Sequence, residues 1–173
     1  MEKFLKSNQD NSICKQLNVL ILNIYTERLL IQPSQITPTT VAFYAQKSSN
    51  IPASEATGHR VLVFDIVKTN IGNGYHPSTG VFMVPESGIY VFSWSFRNGN
   101  DDYHSTELMV NTGQEGIIYI DSADGSDITG TGVAVIHVNK GDDVFVRIGS
   151  VRYIGPINSD TRGRCSFAGW KLN

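Results

Sequence analysis

Aspartates recur at every third position, Asp121, Asp124 and Asp127, around Gly125 in the stretch from Ile120 to Thr129. Carboxylates so spaced offer hard oxygen ligands of the kind calcium prefers, and solvated turn aspartates are the competing reading. A second stretch, Asn98 to Ser105, joins Asp101 and Asp102 to Tyr103 and His104. Sugars are recognised by polar groups that exchange hydrogen bonds with hydroxyls and by a flat ring stacked on C–H faces, and this stretch has both. The third, Gly149 to Gly163, is long enough to be functional by length and carries Arg152, Tyr153, Asn158, Asp160 and Arg162. Arginine grips carboxylates in bidentate fashion, so an acidic, sialic-acid-like sugar suits that stretch. For either stretch a plain solvated connection is the alternative.

Catalytic constellations are not evident. His59, His76, His104 and His137 lack metal-binding spacing, and neither Cys-x-x-Cys nor His-Glu-x-x-His occurs. His137 follows Val135 in strand parity and reads as a core or interface histidine. A Gly-x-Ser-x-Gly elbow is missing, and Gly130-Thr131-Gly132 lacks the third glycine of a dinucleotide loop. The residues point to binding, not to an enzyme.

The elements that must position these residues are strands. From Ile89 to Arg97 the even positions Tyr90, Phe92, Trp94 and Phe96 form one aromatic face, a period of two that requires burial on that side. Upstream, Leu62, Phe64 and Ile66 share a face within Val61–Val67, and Asn70, Gly72, Asn73 and Gly74 supply a turn cluster that tolerates positive φ. The expected strands are 41–46, 61–67, 80–84, 89–97, 108–111, 116–120, 133–138, 144–148 and 164–172, with Lys140-Gly141-Asp142 as a hairpin turn. Val61, Val63 and Val67 lie opposite Phe64 in this reading, so something must cover that second face. Many short strands without a helical period call for an all-β sandwich or barrel.

The order Phe64, Asn70, Tyr75, Phe82, Gly88, Tyr90, Phe92 resembles the signature of the C1q globular-head family, with Trp94 where that family usually has Phe or Tyr. Phe167-Ala168-Gly169-Trp170 followed by Leu172 resembles its closing strand and Val41-Ala42-Phe43 its opening one, so the resemblance spans residues 41–172. It implies a C1q/TNF-like jelly roll of about ten antiparallel strands, a homotrimer, and calcium in the aspartate stretch. Those ligands would by resemblance be Asp121 and Asp127, although the spacing departs from the family pattern.

With 173 residues, the chain fits one domain, 41–173, after an extension and linker over 1–40. A net charge of −2 and the lack of a basic cluster argue against nucleic-acid or anionic-membrane partners. Ile13, Leu17, Leu20, Ile24 and Ile31 follow a heptad seam, with Glu27 between the last two, before Pro33 and Pro38 open the linker. A short parallel coiled coil is one reading; the apolar residues off the seam, Val19, Ile21 and Leu22, leave a marginal isolated helix as an equal alternative. Leu17 to Tyr25 is too short to span a bilayer and no signal cleavage site or collagen repeat is evident. Cys14 reads as a free thiol and Cys165 as a small buried hydrophobe. The resemblance implies a secreted, lectin-like pattern-recognition protein that binds carbohydrate or microbial surfaces through its loops. The alternative is a TNF-like or cerebellin-like protein ligand held by a receptor at clefts between subunits.

Overall fold

In the computed structural model, residues 15–23, 40–123 and 125–172 are described, in two compact units, Met1–Thr39 and Thr40–Asn173. Residues 15–23 are helical. The remaining seam positions Ile13, Ile24, Glu27 and Ile31, with Cys14 and Asp124, lie outside the described residues. No helix among the described residues is long and apolar enough to cross a membrane.

The second unit is all β. Its strands are β1 (Ala42–Gln46), β2 (Ile66–Ile71), β3 (Tyr75–His76), β4 (Val81–Met83), β5 (Gly88–Asn98), β6 (Tyr103–Val110), β7 (Gly113–Asp121), β8 (Ile128–Val138), β9 (Asp143–Ile154), β10 (Ile157–Asn158) and β11 (Ser166–Lys171). Two antiparallel sheets form a jelly roll. In the first, β5 is flanked on one edge by β8 along its whole length and on the other by β11, then β1, then β2, while β10 continues beside Arg97 and Asn98. The second runs β3-β4-β9-β6-β7.

The alternation of β5 drives this arrangement. Tyr90, Phe92, Trp94 and Phe96 are buried between the sheets. Phe43 of β1 stacks on Phe82 of β4 at 4.5 Å and on Tyr75 of β3 at 5.0 Å, and it meets the edge of Phe167 from β11 at 4.9 Å, stitching the layers together. Trp94 donates from Nε1 to Thr106 Oγ1 at 3.0 Å. Its ring fills space left by Gly116 and Gly132, where any Cβ would collide with the indole. Cys165 is buried, and burial pushes its thiol pKa up.

Several expected elements differ in extent, and two differ in kind. Residues 61–67 are not one strand: Leu62 N–H bonds to Val146 carbonyl in the second sheet, the chain crosses at Val63–Asp65, and only from Ile66 does it pair with β1 in the first. Leu62 and Phe64 are buried because they plug the crossing, and Val61, Val63 and Val67 are half-buried without sharing a sheet face opposite Phe64. Tyr75 secures the crossing, its hydroxyl donating to Phe64 carbonyl at 2.9 Å and accepting from Phe64 N–H at 3.2 Å. Asn70 fixes Tyr75 in turn, exchanging two hydrogen bonds with its backbone at 3.0 and 3.1 Å across the Gly72-Asn73 turn, which has φ of 90° and 53°. The 139–142 turn is tight but is not a hairpin, because β8 and β9 belong to different sheets. His137 is exposed on β8, not in the core.

Candidate functional site

Strand registers bring the three polar stretches to one end of the sandwich. Asn98 pairs with Ile128 and with Ile157, so residues 99–102, 122–127 and 155–163 all leave the sheets there. Arg97 closes β5 on its outward side yet is only 5% exposed, because Asp127 and Asp160 cover it. Its Nη1 lies 2.9 Å from Asp127 and its Nη2 2.7 Å from Asp160. Arg162 caps the same two carboxylates at 2.9 and 3.3 Å. Two arginines and two aspartates thus form a neutral ring across two loops. The Arg162 backbone N–H, then the Arg97 guanidinium, hold the Asp160 carboxyl down at about 2.

Beneath the ring the loops are joined by buried polar groups. The Ser122 hydroxyl donates to the Gly99 carbonyl and accepts from Asp102 N–H at 3.1 Å. Asn98 is fully buried, its Nδ2 donating to the carbonyls of Ile120 at 3.2 Å and Asp102 at 3.4 Å. Its Oδ1 must therefore accept, which puts the imidazole proton of His104 on Nδ1, 3.1 Å away. His104 Nε2 is buried with no hydrogen-bond partner, and burial depresses the imidazole pKa to about 4 against a smaller opposing push from the Gly155 backbone. Asp102 is half-buried and its pKa is raised, chiefly by burial and further by the charges of Asp101 and Asp127. Its carboxylate occupies the place a Cβ on Gly155 would take, and Gly155 has a φ of 82°.

Tyr103, Arg152 and Tyr153 occupy the flank of this end, on the second sheet. Tyr103 opens β6 and pairs with Asp121 and Ile154, while Ser105 pairs with Tyr119. Between Tyr153 and Ile148 the β9 backbone bulges past Ser105, whose hydroxyl donates to the Val151 carbonyl at 3.0 Å. Arg152 lies on this bulge at a φ of 62°. Tyr119 donates its hydroxyl to Asp121 Oδ2 at 3.0 Å, and burial, that bond and the Asp121 charge raise its pKa while Arg152 lowers it.

Asp101, Asp102, Asn158, Asp160, Arg162 and Asp127 thus gather at the sandwich end, and Tyr103, Arg152, Tyr153 and Asp121 beside it. His104 is interior and reaches no ligand in solvent. Among the described residues, which leave out Asp124, Asp127 is taken up by two arginines, Asp121 accepts from Tyr119, and no cluster of three or more His, Cys, Asp or Glu gathers. Sequence reasoning missed Arg97, Asn98, Ser122 and Tyr119. The one available signal was Arg97, the single charged residue of β5, next to the strand's last position.

The sequence matches the C1q domain over residues 42–172. The chain belongs to the C1q domain family. Complement C1q tumor necrosis factor-related protein 3 of Mus musculus is 33% identical over 112 residues, 64% of this chain and 44% of that protein. The heavy metal-binding protein HIP of Mytilus edulis is 32% identical over 106 residues, 61% of this chain and 49% of that one. The chain therefore spans about half the length, or less, of these curated relatives. The fold of this C1q domain is shared with the globular domain of zebrafish complement 1qA protein, at a TM-score of 0.62 and 15% identity, covering 77% of this chain and 98% of that one. Murine APRIL at pH 5.0 has a TM-score of 0.60 at 12% identity, over 77% of this chain and 99% of that one. In this C1q domain the signature residues Phe64, Asn70 and Tyr75 are the ones that clamp the crossing between sheets.

Proposed function

We propose that this C1q domain is a non-catalytic, multivalent binding protein, a secreted homotrimer that recognises carbohydrate on microbial or other repetitive surfaces through its loop end. The observation that carries the reading is an apolar row across the outer face of the first sheet. In register from β8 to β2 it comprises Val135, Val91, Trp170, Ala42 and Ile71. Val133, Ala168 and Tyr44 extend it in the next row, and Val133 and Val135 are 64% and 60% exposed in the single subunit. Apolar surface this continuous has a strong tendency to be buried by association, and packing against further copies removes it from water.

The loop end supports the ligand class. Carboxylates, the Asn158 amide and tyrosine rings are held on a rigid frame, so little ordering entropy is lost on binding. Weak sites repeated three times gain strength on a repetitive surface without any new contact. Light scattering at low protein concentration tests the assembly, and a monomeric mass would end that part of the proposal. A glycan array probed with and without calcium tests the ligand. Sugar-competable binding is the expected result; saturable binding to one receptor ectodomain, indifferent to sugars, would favour the protein-ligand reading instead.

A further inference from the structure

The arginines of this domain differ in what they already hold. Arg97 and Arg162 are neutralised by Asp127 and Asp160, Arg147 is 2.7 Å from Glu107, and Arg60 is 2.8 Å from Glu55. Arg164 donates to the carbonyls of Lys47 and Ser48. Arg152 makes no ion pair and no hydrogen bond among the described residues; the strand register sets it beside the tyrosines, since Ile154 pairs with Tyr103, and Ser105, which bonds to the Val151 carbonyl, pairs with Tyr119. It also stands exposed at a φ of 62°, a conformation uncommon for a side chain of its size. The bulge that carries it is pinned by the Ser105–Val151 hydrogen bond. An unpaired cation is therefore presented at a fixed place beside two tyrosines.

We infer that Arg152 is the carboxylate-binding group of a subsite for acidic sugars, of the uronic acid class, formed with Tyr119, Tyr103 and Asp121. The inference rests on the carbohydrate-binding reading and names the sugar class it takes. The guanidinium presents parallel N–H donors that match a carboxylate, and such charge-assisted pairs are stronger than neutral ones. Tyr119 is 46% exposed and offers a ring for the apolar C–H face of a pyranose. Asp121, held by the Tyr119 hydroxyl through Oδ2, keeps lone pairs for sugar hydroxyls. Arg162, the other loop arginine, would first have to leave two aspartates.

The test compares an oligosaccharide containing glucuronic acid with its carboxyl-reduced counterpart, in which each carboxylate has become CH2OH. Biolayer interferometry on the intact protein should show the acid form bound about tenfold more tightly or better, the size expected for a charge-assisted hydrogen-bonded pair. Arg152→Gln should bring the two forms to equal affinity with an unchanged melting temperature, whereas Lys140→Gln at the opposite end should keep the preference. Equal binding of both glycans by the parent protein, or a preference retained by Arg152→Gln, overturns the subsite and leaves the carbohydrate reading standing. Failure to bind either glycan overturns the subsite, and the glycan array then decides the carbohydrate reading separately.

Discussion

Replacing Tyr75 by Phe removes one oxygen atom and should cost more stability than most single-atom changes. Phe64 lies where the chain passes between sheets, outside both ladders, and its N–H and carbonyl are served by the Tyr75 hydroxyl at 3.2 and 2.9 Å. Both residues are buried, at 1% and 2% exposure, so water cannot replace the lost partner. Each buried peptide group left unsatisfied costs about 1–2 kcal/mol, and two together cost about 2–4 kcal/mol. The ring remains, so no cavity contributes. For a domain of this size, each kcal/mol lowers the melting temperature by about 3–5 °C, which sets the expected fall at about 6–20 °C.

Calorimetry of Tyr75→Phe and its parent at one fixed protein concentration measures this, since association would make the midpoint concentration-dependent. Urea unfolding should show a lower midpoint with an unchanged slope. Asn70→Ala removes two hydrogen bonds to the Tyr75 backbone at a half-buried site, so its loss should be smaller. A fall below about 2 °C for Tyr75→Phe, or a larger loss in Asn70→Ala, would refute the account of the crossing as a buried polar clamp.

His104 predicts a pH dependence. Burial lowers its folded pKa from 6.5 to about 4, so between these values the unfolded chain binds the extra proton and stability falls on acidification. His104→Gln should lack this component, leaving the parent to lose about 3 kcal/mol more than the variant between pH 6.5 and 4 in urea titrations, while the raised pKa of Asp102 acts in the opposite sense in both proteins. Parallel curves would refute it. Arg97→Met should leave Asp127 and Asp160 facing each other with Arg162 alone, lowering the melting temperature and speeding trypsin cleavage after Arg162; Arg97→Lys, which lacks the fork that spans both carboxylates, should fall between. Unchanged cleavage in both variants would show that the ring does not order the loops. Val135→Asp should convert the proposed trimer to a monomer by light scattering, and a variant of undiminished mass would remove that face from the interface.

What could be read in advance divides along physical lines. The β5 aromatics were legible because a strand exposes its environment every second residue, and so was the Phe64-Asn70-Tyr75 spacing. The same alternation misled at 61–67, since a chain crossing between sheets also buries alternate residues while its hydrogen bonds change partner midway. Alternation reports burial; it does not report which ladder a residue joins. The 139–142 turn misled in the same way, because a tight reversal specifies direction and leaves open whether the strands pair or arch between layers. Likewise β9 runs on through Ile154, so part of the third polar stretch is a bulged strand, and Tyr103, His104 and Ser105 open β6 instead of forming a loop. The three polar stretches were each identified, but their convergence depends on strand registers that no local pattern encodes.

That convergence changes how the charges should be understood. Taken singly, Asp127, Asp160 and Arg162 resemble exposed binding groups; placed together with Arg97 they cancel, and their role is to hold two loops to one strand. With a net charge of −2 over 173 residues and the four charges of this ring spent internally, long-range steering of a ligand is weak. In the proposed reading, selectivity then falls to the few groups left unpaired at a fixed position, of which Arg152 is the arginine among the described residues of this end. A single contact of that kind binds modestly, so under the proposed function recognition of a surface at useful strength would require several copies acting at once. The bare row from Val135 to Ile71 would supply this by driving association. Assembly and selectivity are thus assigned to opposite demands on the same frame, apolar on a sheet face and polar at its end, and a variant that abolishes one should leave the other measurable.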